Sequence, residues 1–162
     1  MEDSVFVDSV LKLQVLRLEW SKLTRDQTSA LLTGMVDNTS MVELVLVGNH
    51  VDHVAPGVIG RVVGKLKKVT LENNWMPREV FREIFEHAVE SETLREMKIG
   101  GDNFGGDFSL VSPEVLGTVI RRVRSVRLKE LTLSQDQCMH AIMAAKKSPI
   151  FIDLKMIKIN IT

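Results

Sequence analysis

The chain has 162 residues, 44% hydrophobic and 26% charged, a composition that suits one globular domain and excludes intrinsic disorder as its main state. Its 21 basic and 21 acidic residues cancel to a formal net charge of zero, so no overall charge attracts it to nucleic acid or to an anionic membrane. Its one cysteine, Cys138, excludes an intrachain disulfide, and the sequence has no apolar run long enough for a membrane span, so we expect a cytoplasmic protein.

The first predicted element is a short strand that recurs along the chain, each time with the apolar template Leu-x-x-Leu-x-Leu. The starts of successive copies are separated by 23 to 34 residues, which predicts a stack of similar units. Five copies are clear and a sixth is weaker: Leu13, Leu16 and Leu18; Met41, Leu44 and Leu46; Leu66, Val69 and Leu71; Leu94, Met97 and Ile99; Leu128, Leu131 and Leu133; Phe151, Leu154 and Met156.

An amphipathic helix is predicted after each clear strand, because apolar residues there recur at i, i+1, i+4 and i+5. Capping-box patterns at 24–27 and 134–137, and prolines at 56, 77 and 113, mark expected helix starts. The predicted apolar helix faces are Leu31, Leu32, Met35 and Val36; Val58, Ile59, Val62 and Val63; Val80, Phe81, Ile84, Phe85, Ala88 and Val89; Val115, Leu116, Val119 and Ile120; Cys138, Met139, Ile142 and Met143.

The position three residues beyond each strand template holds a short polar side chain in five of the six copies. Such a side chain bonds backbone groups where the chain turns out of a strand, and stacked asparagines can form a ladder from one repeat to the next. The residues at this position are Ser21, Asn49, Asn74, Asp102, Asp136 and Ile159.

Together, these residues resemble leucine-rich repeats of the ribonuclease-inhibitor-like, long-repeat kind, and the irregular spacing resembles the C-terminal arrays of NOD-like innate immune receptors. The resemblance covers about residues 13–156. It implies an α/β solenoid, a horseshoe arc of about five to six repeats with a parallel β-sheet on the concave face and α-helices on the convex face. A small Rossmann-like sheet is the alternative fold.

We expect residues 1–162 to form a single repeat domain. Within it, residues 1–12, including Val5, Phe6, Val10 and Leu11, are expected to end a preceding helix, and residues 100–112 to form an inserted loop. A repeat array needs polar caps, and neither end of this sequence shows a convincing one. The sequence therefore predicts a segment of a larger protein.

Three features that could carry chemistry are better explained by structure. The glycines at 100–106 lack the lysine that a phosphate-binding loop requires. His50 and His53 have only Asp52 as a nearby carboxylate, whereas a zinc site needs three or four converging ligands. Cys138 lies on a predicted helix face, where a packed thiol is expected. We therefore predict no enzymatic activity, no cofactor and no metal.

The basic clusters at 65–68 and 121–129 are the sequence features closest to a nucleic-acid site. Both fall at predicted helix ends, where cations suit the helix dipole. Aromatic residues that could stack on bases are not interleaved with them. Nucleic acid is therefore not expected as a partner.

Residues between and just after the template leucines are predicted to face the concave side, because strand side chains alternate. Val45 and Val47 beside Glu19 and Glu72 would give this face an apolar centre with an acidic rim. The predicted protein-binding residues are Arg17, Glu19, Trp20, Val45, Val47, His50, Thr70, Glu72, Trp75, Lys98, Thr132 and Ser134.

Two tryptophans, Trp20 and Trp75, are predicted at strand exits, with His50 between them along the stack. Tryptophan is enriched at interface hot spots because it supplies a large, rigid contact area. These three residues therefore predict a contact patch. The alternative is that each tryptophan covers the edge of the core.

The predicted function is that of a non-catalytic protein–protein interaction module that uses the concave strand face. Within this class, the resemblance favours the ligand-sensing or autoinhibitory array of an intracellular innate immune receptor, bound to a protein ligand or to neighbouring domains. The alternatives are a structural or oligomerisation unit that associates edge to edge, or the repeat domain of an enzyme inhibitor, a ligase adaptor or a cytoskeletal regulator.

Overall fold

The computed structural model describes residues 9–103, 105–150 and 152–162, and strands alternate with helices along them. Val5 and Phe6, expected in a preceding helix, and Phe151, expected in the sixth template, lie outside the described residues. The strands are β1 (Val15–Glu19), β2 (Glu43–Val47), β3 (Lys68–Glu72), β4 (Glu96–Gly100), β5 (Gly106–Asp107), β6 (Ser125–Lys129), β7 (Leu131–Leu133), β8 (Asp153–Ile157) and β9 (Asn160–Ile161). The helices are α1 (Arg25–Met35), α2 (Val58–Val63), α3 (Arg78–Glu90), α4 (Pro113–Arg122) and α5 (Gln135–Lys147).

The strands of five residues form one parallel sheet in the order β1-β2-β3-β4-β6-β8, and the short strands β5, β7 and β9 form a second parallel sheet. A helix connects each long strand to the next. The strand order follows the chain order without reversal, whereas a doubly wound sheet reverses at a switch point. The architecture is therefore that of a stacked strand–helix repeat and not the Rossmann-like alternative.

The second and fourth residues of each long strand face the helices and form the core. In the middle strands they are fully buried, whereas in β1 and β8, which have a neighbour on one side only, they are partly buried. The two rows are Leu16, Leu44, Val69, Met97, Val126 and Leu154, and Leu18, Leu46, Leu71, Ile99, Leu128 and Met156. The predicted apolar faces of α1 to α4 pack against these rows.

The fifth strand template begins five residues earlier in the chain than predicted. Val126 and Leu128 of β6 occupy the two core rows, so the fifth template is Val123, Val126 and Leu128, all buried. Starts at 13, 41, 66, 94, 123 and 151 make the spacing nearly uniform. The apolar residues Leu131 and Leu133 imitate the template, but they form β7 of the second sheet.

Helix α5 presents a different face to the core from the one predicted. Its buried residues are Gln137, Cys138, Ala141 and Ala144, whereas the predicted face residues Met139, Ile142 and Met143 are exposed. The buried Gln137 amide fixes this orientation, because its Nε2 donates to the Phe108 and Val111 carbonyls. Small side chains also allow close helix packing, since a Cβ added at Gly117 of α4 would lie 3.7 Å from the Cβ of Ala144.

The predicted asparagine ladder connects the first three repeats. The Ser21 hydroxyl donates to Asn49 Oδ1, and Asn49 Nδ2 donates to the Leu18 carbonyl at 2.9 Å. The Asn49 backbone N–H donates to Asn74 Oδ1 at 3.0 Å, and Asn74 Nδ2 donates to the Leu46 carbonyl at 2.8 Å. Asn49 and Asn74 are both buried, so these bonds satisfy backbone groups at the strand exits. In the corrected fifth repeat the equivalent residue is Leu131, and Asp136 instead lies in α5.

The described residues of segment 100–112, which was expected to be an inserted loop, contribute in part to the core. They contribute β5 to the second sheet, and Phe108 and Val111 are buried. The Phe108 ring contacts Phe81 at 5.2 Å and Phe85 at 5.0 Å between centroids. With the fifth repeat starting at Val123, the fourth repeat has an ordinary length and no insertion is needed.

Candidate functional site

The face of the six-stranded sheet that points away from the helices is the natural place for a binding site, and we call it the open face. Its side chains come from the first, third and fifth residues of each long strand. The central row is Arg17, Val45, Thr70, Lys98, Arg127 and Lys155. The row nearer the strand exits is Glu19, Val47, Glu72, Gly100, Lys129 and Ile157.

These rows bring together the predicted strand residues of the first four repeats, but Thr132 and Ser134 do not belong to them. Thr132 lies in β7 of the second sheet, and Ser134 caps α5 by accepting a hydrogen bond from the Gln137 backbone N–H. Both placements follow from the five-residue error in the fifth template.

Four cations of the open face were missed by the sequence prediction: Lys68, Arg127, Lys129 and Lys155. Arg127 and Lys129 were expected at a helix end, but they lie in strand β6, beyond the end of α4 at Arg122. The spacing of Val123 from Leu94, which matches the other repeats, is the signal that would have placed them correctly.

The β1–β3 half of the open face carries acidic side chains around an apolar pair. Val47 lies in register between Glu19 and Glu72, as predicted. Val45 is only 9% exposed, so it adds little accessible apolar surface, in contrast to the expectation. Arg17 donates to Glu43 at 2.7 Å, an exposed ion pair of the same face.

Gly100 connects the two halves of the open face. A Cβ added there would lie 3.1 Å from Glu72 Cγ and 3.3 Å from the Lys129 carbonyl oxygen. The absence of a side chain lets Glu72 of β3 lie over β4 and approach Lys129 Nζ of β6 at 4.0 Å. Glu72 and Lys129 are thus paired although their strands are not neighbours.

The two tryptophans lie at strand exits beside the open face and are well exposed, Trp20 at 66% and Trp75 at 49%. The ring of Trp20 lies directly over Gly48, where an added Cβ would meet it at 2.2 Å. The His50 ring stacks on Trp75 with 5.6 Å between centroids. The exposure disagrees with the alternative that the tryptophans cover the core edge.

The left-handed backbone at Trp20 is a property of the repeat, while that of Trp75 is local. Trp20 has a φ of 49°, and Gly48, Glu130 and Lys158 at the equivalent strand exits also have positive φ. Trp75 has a φ of 52°, two residues beyond Asn73, which holds the equivalent position in its repeat. This conformation costs on the order of 1 kcal/mol or more for a bulky residue. A large exposed side chain at such a position gives little packing energy in return, which is typical of binding sites.

A polar cluster lies beside Trp75 and His50. Asp52 forms an ion pair with Arg25 at 3.3 Å and lies 3.3 Å from His53 Nδ1. Partial burial raises the pKa of Asp52, but the hydrogen bond with His53 and the charge of Arg25 outweigh it and hold the pKa below its ordinary value. A cavity of about 290 Å³ is lined by Arg25 and Asp52 of this cluster together with His50 and Trp75. Arg25, Asp52 and His53 pair with one another and lie next to the aromatic surface of His50 and Trp75.

The described residues contain no cluster of side chains suited to binding a metal ion, and their one cysteine is buried. No three histidine, cysteine or acidic side chains among them converge on a common point, and His53 Nε2 contacts the Arg25 carbonyl. Cys138 is buried, and burial raises the pKa of its thiol and so disfavours the reactive thiolate. No helix in this part of the chain is long and apolar enough to cross a membrane.

Comparison with known proteins relates this chain to others through its fold. No protein-family model matches the sequence, and no curated protein matches it. A solved structure described as "Leiomodin-1 Actin-Binding Site 2 (ABS2)" superposes with a TM-score of 0.58 at 10% sequence identity, over 91% of this chain and 90% of that chain. The similarity supports a leucine-rich-repeat-like fold, a parallel sheet with helices, and at this identity it concerns the fold alone.

Proposed function

We propose that this chain is a non-catalytic protein–protein interaction module that binds a protein partner through its open face and the adjoining strand exits. The observation that carries the proposal is the exposure of Trp20 and Trp75 on positions of left-handed backbone beside that face. Exposed tryptophans are uncommon on a surface without a binding role and common at interface hot spots.

The framework around the tryptophans supports this role. The asparagine ladder holds the strand exits rigidly, with Asn49 directly following Gly48 and Asn74 directly preceding Trp75. A rigid surface loses little conformational entropy on binding, so more of the contact energy becomes affinity.

The ion pairs of the open face favour binding over acid–base catalysis. Glu72 and Glu130 both approach Lys129, and Glu43 is paired with Arg17. A hydrogen bond with Lys158 is the main cause that lowers the pKa of Glu130. Ionised, paired carboxylates present a fixed charge pattern, whereas a general acid at neutral pH needs a raised pKa.

The narrower hypothesis is a ligand-sensing or autoinhibitory array of a cytoplasmic innate immune receptor, and it rests on the resemblance in the sequence. The horseshoe arc of five to six ribonuclease-inhibitor-like repeats belongs to the same hypothesis. The name of the leiomodin structure refers to actin binding, so a cytoskeletal partner is the second candidate. A structural unit that associates edge to edge is the third, since β1 and β8 end the sheet.

The test compares the unmodified chain with the double variant Trp20→Ala/Trp75→Ala in capture of proteins from a cell extract and in binding to purified actin filaments. A matched control, Met139→Ala/Ile142→Ala, removes two exposed apolar side chains from α5. We expect the tryptophan variant to lose its partner and the control to keep it, with melting temperatures nearly unchanged in both. Equal capture by all three proteins would refute the proposal.

Self-association is tested separately by light scattering over a dilution series. A dimer that persists in the tryptophan variant would favour the edge-to-edge unit. A monomer at all concentrations would exclude it.

A further inference from the structure

The half of the open face formed by β4, β6 and β8 carries three cations in one row. Lys98, Arg127 and Lys155 are direct register partners on neighbouring strands. Adjacent strands lie about 4.8 Å apart, so the three Cα atoms span about 10 Å. Like charges placed directly opposite each other destabilise a sheet unless a counter-charge compensates them.

Among the described residues, one of these three cations has an acidic partner. Lys155 lies 3.4 Å from Asp153, which is two residues before it on the same strand, β8. The other carboxylates nearby are already engaged, because Glu96 pairs with Lys68 at 3.1 Å and Glu72 approaches Lys129. In the described part of the chain no ion pair forms at Lys98 or Arg127.

Arg127 has a further unsatisfied group. Its Nε is buried and has no hydrogen-bond partner. A buried N–H without a partner costs free energy, and a ligand oxygen reaches this Nε only if the guanidinium turns outward. The two side chains are half-buried, so each has already lost part of its hydration before a ligand arrives.

We propose that Lys98 and Arg127 form a carboxylate-binding site for an acidic segment of the protein partner. The proposal rests on the function proposed above and adds the chemistry of the ligand. The planar guanidinium of Arg127 can bind a carboxylate through two parallel hydrogen bonds, and Lys98 adds a point charge on the next strand.

The remainder of the open face makes the ligand a protein and not a nucleic acid. Glu19 and Glu72 lie on the β1–β3 half, where the uniform negative charge of a phosphodiester backbone would be repelled. A polypeptide can instead place an apolar side chain near Val47 and carboxylates near Lys98. These two positions are two strands apart, about 10 Å, which an extended peptide covers in about three residues.

The test uses fluorescence anisotropy of a fluorescein-labelled glutamate dodecapeptide, with a Gly-Ser peptide and a single-stranded DNA dodecamer as comparison probes. The full chain is titrated at about 20 mM and about 200 mM salt, because screening weakens exposed charge pairs. The double variant Lys98→Gln/Arg127→Gln is matched by Arg61→Gln/Arg82→Gln, which removes the same charge from exposed positions on α2 and α3.

We expect the glutamate peptide to bind, the Gly-Ser peptide not to bind, and the Lys98/Arg127 variant to bind at least about tenfold more weakly. The Arg61/Arg82 control should stay within about twofold, since surface charges distant from the site contribute little. Absence of glutamate-peptide binding at low salt, or an equal loss in both variants, overturns the proposal. DNA binding tighter than peptide binding, and lost in the same variant, assigns the site to phosphodiesters and overturns it as well.

The tryptophan variant separates this inference from the function on which it rests. If Trp20→Ala/Trp75→Ala loses the captured partner while Lys98→Gln/Arg127→Gln keeps it, the interaction module stands and the carboxylate site fails. If both variants capture the partner as well as the unmodified chain does, the proposed function fails even where the glutamate peptide binds.

Discussion

Replacing Asn74 by alanine tests the ladder that holds the strand exits. Asn74 is 1% exposed and makes two hydrogen bonds, to the Asn49 N–H at 3.0 Å and to the Leu46 carbonyl at 2.8 Å. Each bond contributes about 1 kcal/mol, and the Asn49 N–H, buried without its acceptor, adds a penalty of about 1–3 kcal/mol. We therefore expect Asn74→Ala to lower the free energy of unfolding by at least about 3 kcal/mol.

The assay is chemical and thermal denaturation followed by circular dichroism. For a domain of this size, about 3 kcal/mol corresponds to a fall in melting temperature of about 6–12 °C. Asn103→Ala is the matched control, because Asn103 is exposed in a turn and its replacement should change stability by less than about 0.5 kcal/mol. A loss below about 1 kcal/mol for Asn74→Ala, or an equal loss for the control, would refute the reasoning.

Three further substitutions or reactions test other parts of the structure. Gly48→Ala, at a φ of 68° and under the ring of Trp20, should destabilise the chain by about 1–2 kcal/mol and change the tryptophan emission spectrum; an unchanged spectrum would contradict the contact. Ile142→Gln/Met143→Gln should lower the free energy of unfolding, measured in a urea melt, by less than about 1 kcal/mol, because both side chains are exposed. A loss above about 4 kcal/mol would instead show that these side chains belong to the core. Cys138 should react with a thiol reagent at pH 8 only on unfolding, since burial raises its pKa; rapid reaction of the native chain would disprove its burial.

The repeat architecture could be predicted because the strand template, the helix periodicity and the asparagines at the strand exits all indicate the same fold. Apart from Leu13, which is 36% exposed, the template residues of the first four repeats and the apolar faces of α1 to α4 are where the periodicity placed them. Asn49 and Asn74 form the predicted ladder, since an asparagine after a strand has few other uses.

The fifth repeat was mispredicted because two apolar patterns compete there. Leu128, Leu131 and Leu133 match the template as well as Val123, Val126 and Leu128 do, and pattern alone does not say which leucine belongs to which sheet. Repeat length decides between them, and it would also have placed Arg127 in the central row.

The face of α5 could not be read from hydrophobicity because its core contacts are made by small and polar residues. Gln137 is buried and makes hydrogen bonds to another repeat, Ala141 is also buried, and the small side chain of Ala144 lets α4 approach at Gly117. Tertiary packing outweighed the larger apolar residues Met139, Ile142 and Met143.

The charge pattern of the open face depends on a residue that has no charge. A methyl group at position 100 would lie 3.1 Å from Glu72 Cγ, so the Glu72 side chain would have to shift to make room for it. Because Glu72 already lies 4.0 Å from Lys129 Nζ, such a shift would change the separation of this ion pair, while Glu130 remains the second counter-ion of Lys129. Substitution of an uncharged residue can therefore alter the arrangement of charges on the open face, with every ionisable residue left in place.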